Sequence, residues 1–210
     1  MKPIKGSYNI VIAGAWNPSI FNPLWLNKNL LKDGQEAEIA FPIHDISLPV
    51  QISIPDVKIY PATKLLEVKP DTESSPSLEN AISVTKSIAS LLQHTPVHGI
   101  GFNFAFVDED DFASIPSKFD LQDNAAIKAD IFKLRQTTIK RSYELDSKQS
   151  LNIAILYDKN SVQIKFNYHY DISDMSEVTT VLDEKTASER LSQAIDFLKT
   201  VYDVDIEDNN

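Results

Sequence analysis

The run Val97-His-Gly-Ile-Gly-Phe-Asn-Phe-Ala-Phe-Val107 constrains the fold more than any other segment of the chain. Its alternation puts Ile100, Phe102, Phe104 and Phe106 on one face of a strand and Gly99, Gly101, Asn103 and Ala105 on the other. A helix would split the four large side chains between opposite sides. The aromatic face has to anchor a core, and the small-residue face suits close approach by a helix or by neighbouring backbone.

Other segments share the two-residue period. Tyr8 to Ala13 is a β-branched run closed by Gly14 and the turn Ala15-Trp16-Asn17-Pro18. Between Glu38 and Pro70 the apolar positions are Leu48, Val50, Ile52 and Ile54, then Val57 and Ile59, then Leu66 and Val68, with Pro55, Pro61 and Pro70 marking strand ends or edges. Three further strands, 138–145, 151–157 and 161–170, form an antiparallel meander whose last two members are joined by the hairpin turn Asp158-Lys-Asn160.

Helical spacing shows in two long stretches. Ser75 reads as an N-cap followed by Pro76 at the first helical position, and Leu78, Ala81, Ile82, Ile88, Ala89 and Leu92 make one stripe running to about Gln93. Thr186-Ala-Ser-Glu189 is a capping box ahead of Ala187, Leu191, Ala194, Ile195, Leu198, Val201 and Tyr202. Shorter helices are expected from Pro23 to Gly34 and, once or twice, between Phe112 and Arg135. The order of elements does not alternate as a βαβ array does, so the fold class is α+β: a mainly antiparallel sheet of meander strands packed against two principal amphipathic helices, with short additional helices.

A length of 210 residues with 42% apolar side chains is enough for one core, so residues 1–210 are read as a single domain. The alternative is a two-lobe organisation split near residue 110, since each half runs strands into a long helix. The acidic tail 203–210 is expected to leave the core or fray.

Composition removes several function classes. Without cysteine there is no disulfide framework, Cys zinc site, iron–sulfur cluster or thiol catalysis. No run of about 18 apolar residues exists to span a membrane, and the N-terminus lacks the pattern of a secretory signal, which together point to the cytoplasm. Twenty Lys and Arg against 30 Asp and Glu give a net charge of −10, which disfavours nucleic acid as a partner. The imbalance is local: 8 basic against 9 acidic residues in 1–105, but 12 against 21 in 106–210. Within that acidic half, Lys128, Lys133, Arg135, Lys140 and Arg141 form a basic cluster opposed in sequence only by Asp130. Lys140 and Arg141 are consecutive in a strand, so at least one must point away from any shared patch.

Catalytic and metal motifs are missing. There is no Gly-x-Ser-x-Gly, no phosphate-binding Gly-rich loop ending in Lys-Ser/Thr, and no Gly-x-Gly-x-x-Gly after a strand. His94 and His98 have the i, i+4 spacing of a metal pair, but Pro96 lies between them and no Glu follows His94, so no metal or cofactor is assigned. His169 sits on the polar side of its strand, and His44 precedes Asp45. The acidic groups Asp108 to Asp111 and Asp171, Asp174 and Glu177 lack calcium-loop spacing.

What remains points to binding. The stretch from Gly14 to Trp25 holds two tryptophans and two Asn-Pro dipeptides, and its aromatics either cap the core or anchor a partner. The functional expectation is a non-enzymatic cytoplasmic interaction module, whether adaptor, assembly subunit or inhibitor, acting on another protein or on a second copy of itself through a sheet edge, the aromatic loop or the charged C-terminal half. The candidate contact residues are Trp16, Phe21 and Trp25 in the loop and Lys133, Arg135 and Arg141 in the basic cluster. The alternative is a small enzyme working with histidine and carboxylates.

Overall fold

The computed structural model describes residues 1–42, 49–110, 115–119, 133–182 and 184–207. Among them are ten strands: β1 (Lys2–Pro3), β2 (Asn9–Gly14), β3 (Glu38–Ala40), β4 (Gln51–Ile54), β5 (Val57–Pro61), β6 (Leu65–Pro70), β7 (Val97–Asp108), β8 (Thr137–Asp146), β9 (Gln149–Tyr157) and β10 (Val162–Asp171). The four α-helices are α1 (Pro23–Asn29), α2 (Ser75–Leu91), α3 (Met175–Val181) and α4 (Glu184–Tyr202). The fold is α+β.

Every strand pairing is antiparallel. The sheet runs β3-β4-β5-β6-β2-β7-β10-β9-β8, with β1 beside the far end of β7. The strand singled out by its alternation is therefore central, with β2 on one edge and β10 on the other.

One face of this sheet carries the core. Phe102 meets Tyr170 at 5.9 Å between ring centres, Phe104 meets Tyr168 at 6.3 Å, and Phe106 meets Phe166 at 6.1 Å, each edge to face. The register sets Phe102 opposite Tyr168, Phe104 opposite Phe166 and Phe106 opposite Ile164, so each of these ring contacts is a diagonal one, two residues along β10, within reach of aromatic side chains. The helices cover these rings: α2 packs on β2, β5 and β6, α4 packs on β7, and Phe197 of α4 lies 5.7 Å from Phe166. Arg190 fixes α4 further, its Nε donating to the Tyr170 hydroxyl at 2.7 Å and its Nη2 to Gln149 Oε1 at 2.8 Å. Burial pushes the Tyr168 hydroxyl up to about 12, so this ring stays neutral beneath the Arg190 guanidinium.

Local chemistry moves several expected boundaries. Ser74, not Ser75, caps α2, accepting from the Ser77 N–H, and Pro76 occupies the second helical position. The last helix starts at Glu184, two residues ahead of the expected capping box. Helix α1 ends at Asn29, well before Gly34, which instead serves a turn at φ +82°. Helix α3 was not anticipated: Asp174 is its N-cap, accepting from the N–H groups of Ser176 and Glu177, so it is a helix start and not a loose acidic cluster.

The C-terminal segment also differs from expectation. Asp203 closes α4 at φ +59°, and Val204 and Ile206 then pack on the core. The α-ammonium of Met1 donates to the Asp205 carbonyl at 3.0 Å, and the Glu207 N–H donates to the Met1 carbonyl at 2.9 Å. Residues 203–207 therefore lie beside the N-terminus and do not leave the core. Of the short helices expected between 112 and 135, one 3₁₀ turn, Pro116–Lys118, is described; segments 111–114 and 120–132, which include Lys128, lie outside the described residues. His44 and Leu48 lie outside them as well.

Candidate binding trough on the open sheet face

Among the described residues the second face of the sheet carries no helix contact comparable to the first, and it is built from the alternate residues of each strand. Register aligns them into rows perpendicular to the strands. One row reads Asn9, Asn103, Asn167, Asn152 and Ser142, crossing β2, β7, β10, β9 and β8. Its side chains form a directional chain. The Ser142 hydroxyl donates to Asn152 Oδ1 at 2.7 Å, Asn152 Nδ2 to Asn167 Oδ1 at 3.0 Å, Asn167 Nδ2 to Asn103 Oδ1 at 2.8 Å, and Asn103 Nδ2 to Asn9 Oδ1 at 2.6 Å. Each inner amide spends one N–H and one lone pair on the row, leaving a second donor and a second acceptor for something above it.

The neighbouring row is Lys140, Ala154, Lys165 and Ala105. Here two alanines lower the floor between two lysines. Together the rows line a trough of about 580 Å³, closed at one end by Ile4 and Ser7 of the β1–β2 connection and carrying Gln163 at its rim. Ser7 is held there by its hydroxyl, which donates to the Ala105 carbonyl at 3.1 Å. No Asp or Glu lines the trough among the described residues, although the chain contains 30 of them. Lys140 and Lys165 have no ion-pair partner among the described residues. In a protein of net charge −10, this is a local basic and amide-rich surface.

The glycines of β7 have a role other than helix approach. A Cβ on Gly101 would stand 2.9 Å from Asn167 Nδ2, and one on Gly99 would stand 2.8 Å from His169 Cε1. Small residues here admit polar side chains leaning across from β10, not a helix or a neighbouring backbone. We expect Gly101→Ala to fold with little loss of stability, because the obstructed atom is the end of a side chain, but to displace the Asn167 amide from the row. Side-chain amide signals in an ¹⁵N–¹H spectrum would show it; unmoved Asn103, Asn152 and Asn167 signals would contradict the expectation.

The sequence-selected residues are distributed differently. Trp16 is 5% exposed, its indole N–H donating to the Ile12 carbonyl at 3.0 Å, and Phe21 is 4% exposed, 5.3 Å from the half-buried Trp25 ring. The two Asn-Pro dipeptides are turn devices: Asn17 caps the 3₁₀ turn Pro18–Ile20 and Asn22 caps α1, each followed by proline at the first helical position. What this loop presents to solvent is Leu24, 83% exposed, and Phe41 stands nearby at 70%, beside a small apolar hollow bounded by Phe21, Ile39 and Val50. Lys133 and Arg135 are exposed in the segment leading to β8. Arg141 points to the helix-side face of β8, its guanidinium over the Phe119 ring at 5.4 Å, while Lys140 faces the trough. The aromatic loop adjoins β3 to β5 and the basic residues adjoin β8, at opposite edges of the sheet, so they form no common surface.

The three described histidines are scattered. His169 Nε2 lies 3.1 Å from Asp171 Oδ1 on the exposed face, and His98 is exposed on β7. His94 shares a cleft of about 460 Å³ with Asp174, Ser176 and Thr179. That carboxylate is occupied: the Ser176 hydroxyl and two backbone N–H groups hold its pKa below the usual carboxylate range, which makes it a poor proton acceptor. Among the described residues no cluster of three metal-ligating side chains occurs, and no helix is long and apolar enough to cross a membrane.

The sequence does carry a signal for the asparagine row. Asn is disfavoured in strand interiors, yet Asn103, Asn152 and Asn167 each sit mid-strand on the polar side of an alternating run. The chain matches no protein-family model, and no curated protein is significantly similar to it.

Proposed function

We propose that this protein is a non-enzymatic, cytoplasmic interaction module that takes an extended acidic segment of a partner protein in the trough. The observation that carries the reading is a 580 Å³ trough in a strongly acidic chain, lined by two lysines and a hydrogen-bonded amide row but by no carboxylate among the described residues. The lysines supply charge for the partner's carboxylates, and the spare amide donors and acceptors match the C=O and N–H groups of a peptide backbone. Length favours a polypeptide over a small anion. Five strands at about 4.8 Å spacing make a row about 19 Å long, the span of roughly six extended residues. Among the described residues the rings at open-face strand positions are Tyr60 on β5 and His169 on β10, neither of which lines the trough, so base stacking of the kind single-stranded nucleic acid uses is not provided there.

An enzyme built on histidine and carboxylate has less support, because Asp174 is committed to capping and His169 with Asp171 lies on open surface. The test is titration of the protein with an alternating Glu–Ala decapeptide, followed by ¹⁵N–¹H spectra at low and high salt. Side-chain amides of Asn103, Asn152 and Asn167 are expected to shift saturably, with affinity falling as salt screens the lysines and by about tenfold or more in Lys165→Glu. Saturation by free glutamate with equal affinity, or shifts confined to residues outside the trough, would overturn the reading.

A further inference from the structure

Among the described residues β8 is the last strand of the sheet and pairs only with β9, leaving a row of backbone groups open along its other edge. It is exposed almost throughout, including Tyr143 and Leu145. Open edges of this length invite pairing with another chain, and proteins usually guard them with charge. Here the guards are Lys140 and Arg141 toward one end and Glu144 and Asp146 toward the other. Such an arrangement repels an unrelated strand but is complementary to its own antiparallel copy.

We infer that two copies of this chain join through β8 in a two-fold antiparallel pair centred on Ser142. A two-fold axis perpendicular to the sheet matches residues of the same face, so only registers centred on a residue arise. Centring on Lys140, Arg141 or Glu144 sets a charge against itself. Centring on Tyr143 puts Arg141 opposite Leu145, the residue at the bulge between Glu144 and Asp146. Centring on Ser142 sets Lys140 of each copy against Glu144 of the other on the trough face, and Arg141 against Tyr143 on the helix face. Within one copy Arg141 Nη1 already lies 3.5 Å from the Tyr143 hydroxyl, so the guanidinium is placed to share its donors across the axis. Ile139 then faces Leu145, whose bulge limits the ladder to the central residues.

This register has a consequence for the trough. Ser142 ends the amide row, and the axis sets it against Ser142 of the second copy, so the two rows become one continuous line of side-chain hydrogen bonds. The two ten-stranded sheets join with their helices on one side and their troughs on the other. The pairing does not depend on what the trough binds.

Sedimentation velocity and light scattering of the full chain test it. Wild type is expected at twice 23.6 kDa at concentrations of tens of micromolar. Lys140→Glu and Glu144→Lys, each of which sets like charges across the axis twice, are expected to weaken association by at least about tenfold. Mixing the two single variants places opposite charges at both positions and should restore a dimer, as should the K140E/E144K double variant. Circular dichroism of each variant alone checks that it is folded, which the exposure of both side chains favours. A wild type that stays monomeric at its highest soluble concentration, a dimer indifferent to both single variants, or a mixture that remains monomeric would each overturn the inference.

Discussion

Phe104→Ala is expected to lower the unfolding free energy by about 3–5 kcal/mol, a large part of a total on the order of 10 kcal/mol. The ring is 1% exposed at the middle of the central strand, between Tyr8 at 5.2 Å and Tyr168 at 6.3 Å. Its loss removes buried apolar area, two edge-to-face contacts and the partner surface of β2 and β10 together. The neighbours cannot collapse into the space, because Phe102 and Phe106 are each locked into ring pairs of their own. Urea denaturation at equilibrium measures it, with Phe104→Leu as a companion expected to cost about 1 kcal/mol by retaining most of the volume. An alanine variant within about 1 kcal/mol of wild type would mean that the sheet is not held by this aromatic line.

That line was legible in the sequence because β7 alternates large and small over its whole length, and period two has no helical interpretation. The meander β8 to β10 was equally legible, since short turns leave antiparallel pairing as the only geometry. Harder features depended on register. Asn9 and Asn103 lie 94 residues apart in the chain, and only the β2–β7 pairing makes them neighbours. Mid-strand asparagines are visible in the sequence, but their assembly into one row is not, whereas the loop aromatics stand out by composition and lie largely inside the core. Helix α3 is harder to read because Asp174 and Glu177 resemble a ligand cluster, although Met175, Val178 and Leu182 mark a buried stripe. Charge alone predicts that the C-terminal segment frays, but two apolar residues, Val204 and Ile206, outweigh its acidic neighbours.

Gly14→Ala is expected to cost about 3 kcal/mol, the upper end of what overpacking usually exacts. No unusual dihedral is involved, only space. A Cβ on Gly14 would run into the Pro96 carbonyl oxygen and stand 2.9 Å from Val97 Cγ1 and 3.1 Å from Val97 Cα. Two of those atoms are backbone, so rotamer changes cannot relieve the contact, and trimming the side chain with Val97→Ala should recover little. The contact falls at the register shift between Ala13 and Gly14, where β2 leaves β7. The chain is held at that point from both sides: the Gly14 N–H donates to the Lys64 carbonyl at 3.0 Å, and the Ala15 N–H to the Pro96 carbonyl at 2.8 Å. Any shift that frees the new methyl must lengthen one of these bonds and disturb Trp16, whose own N–H reaches the Thr63 carbonyl at 3.0 Å. The same displacement would loosen the loop aromatics from the core, so the variant's near-ultraviolet dichroism should weaken along with its denaturation midpoint. A midpoint change worth under about 0.5 kcal/mol, with the aromatic signal intact, would show that the 96–97 backbone yields freely and that Gly14 is not what fixes the exit of β2.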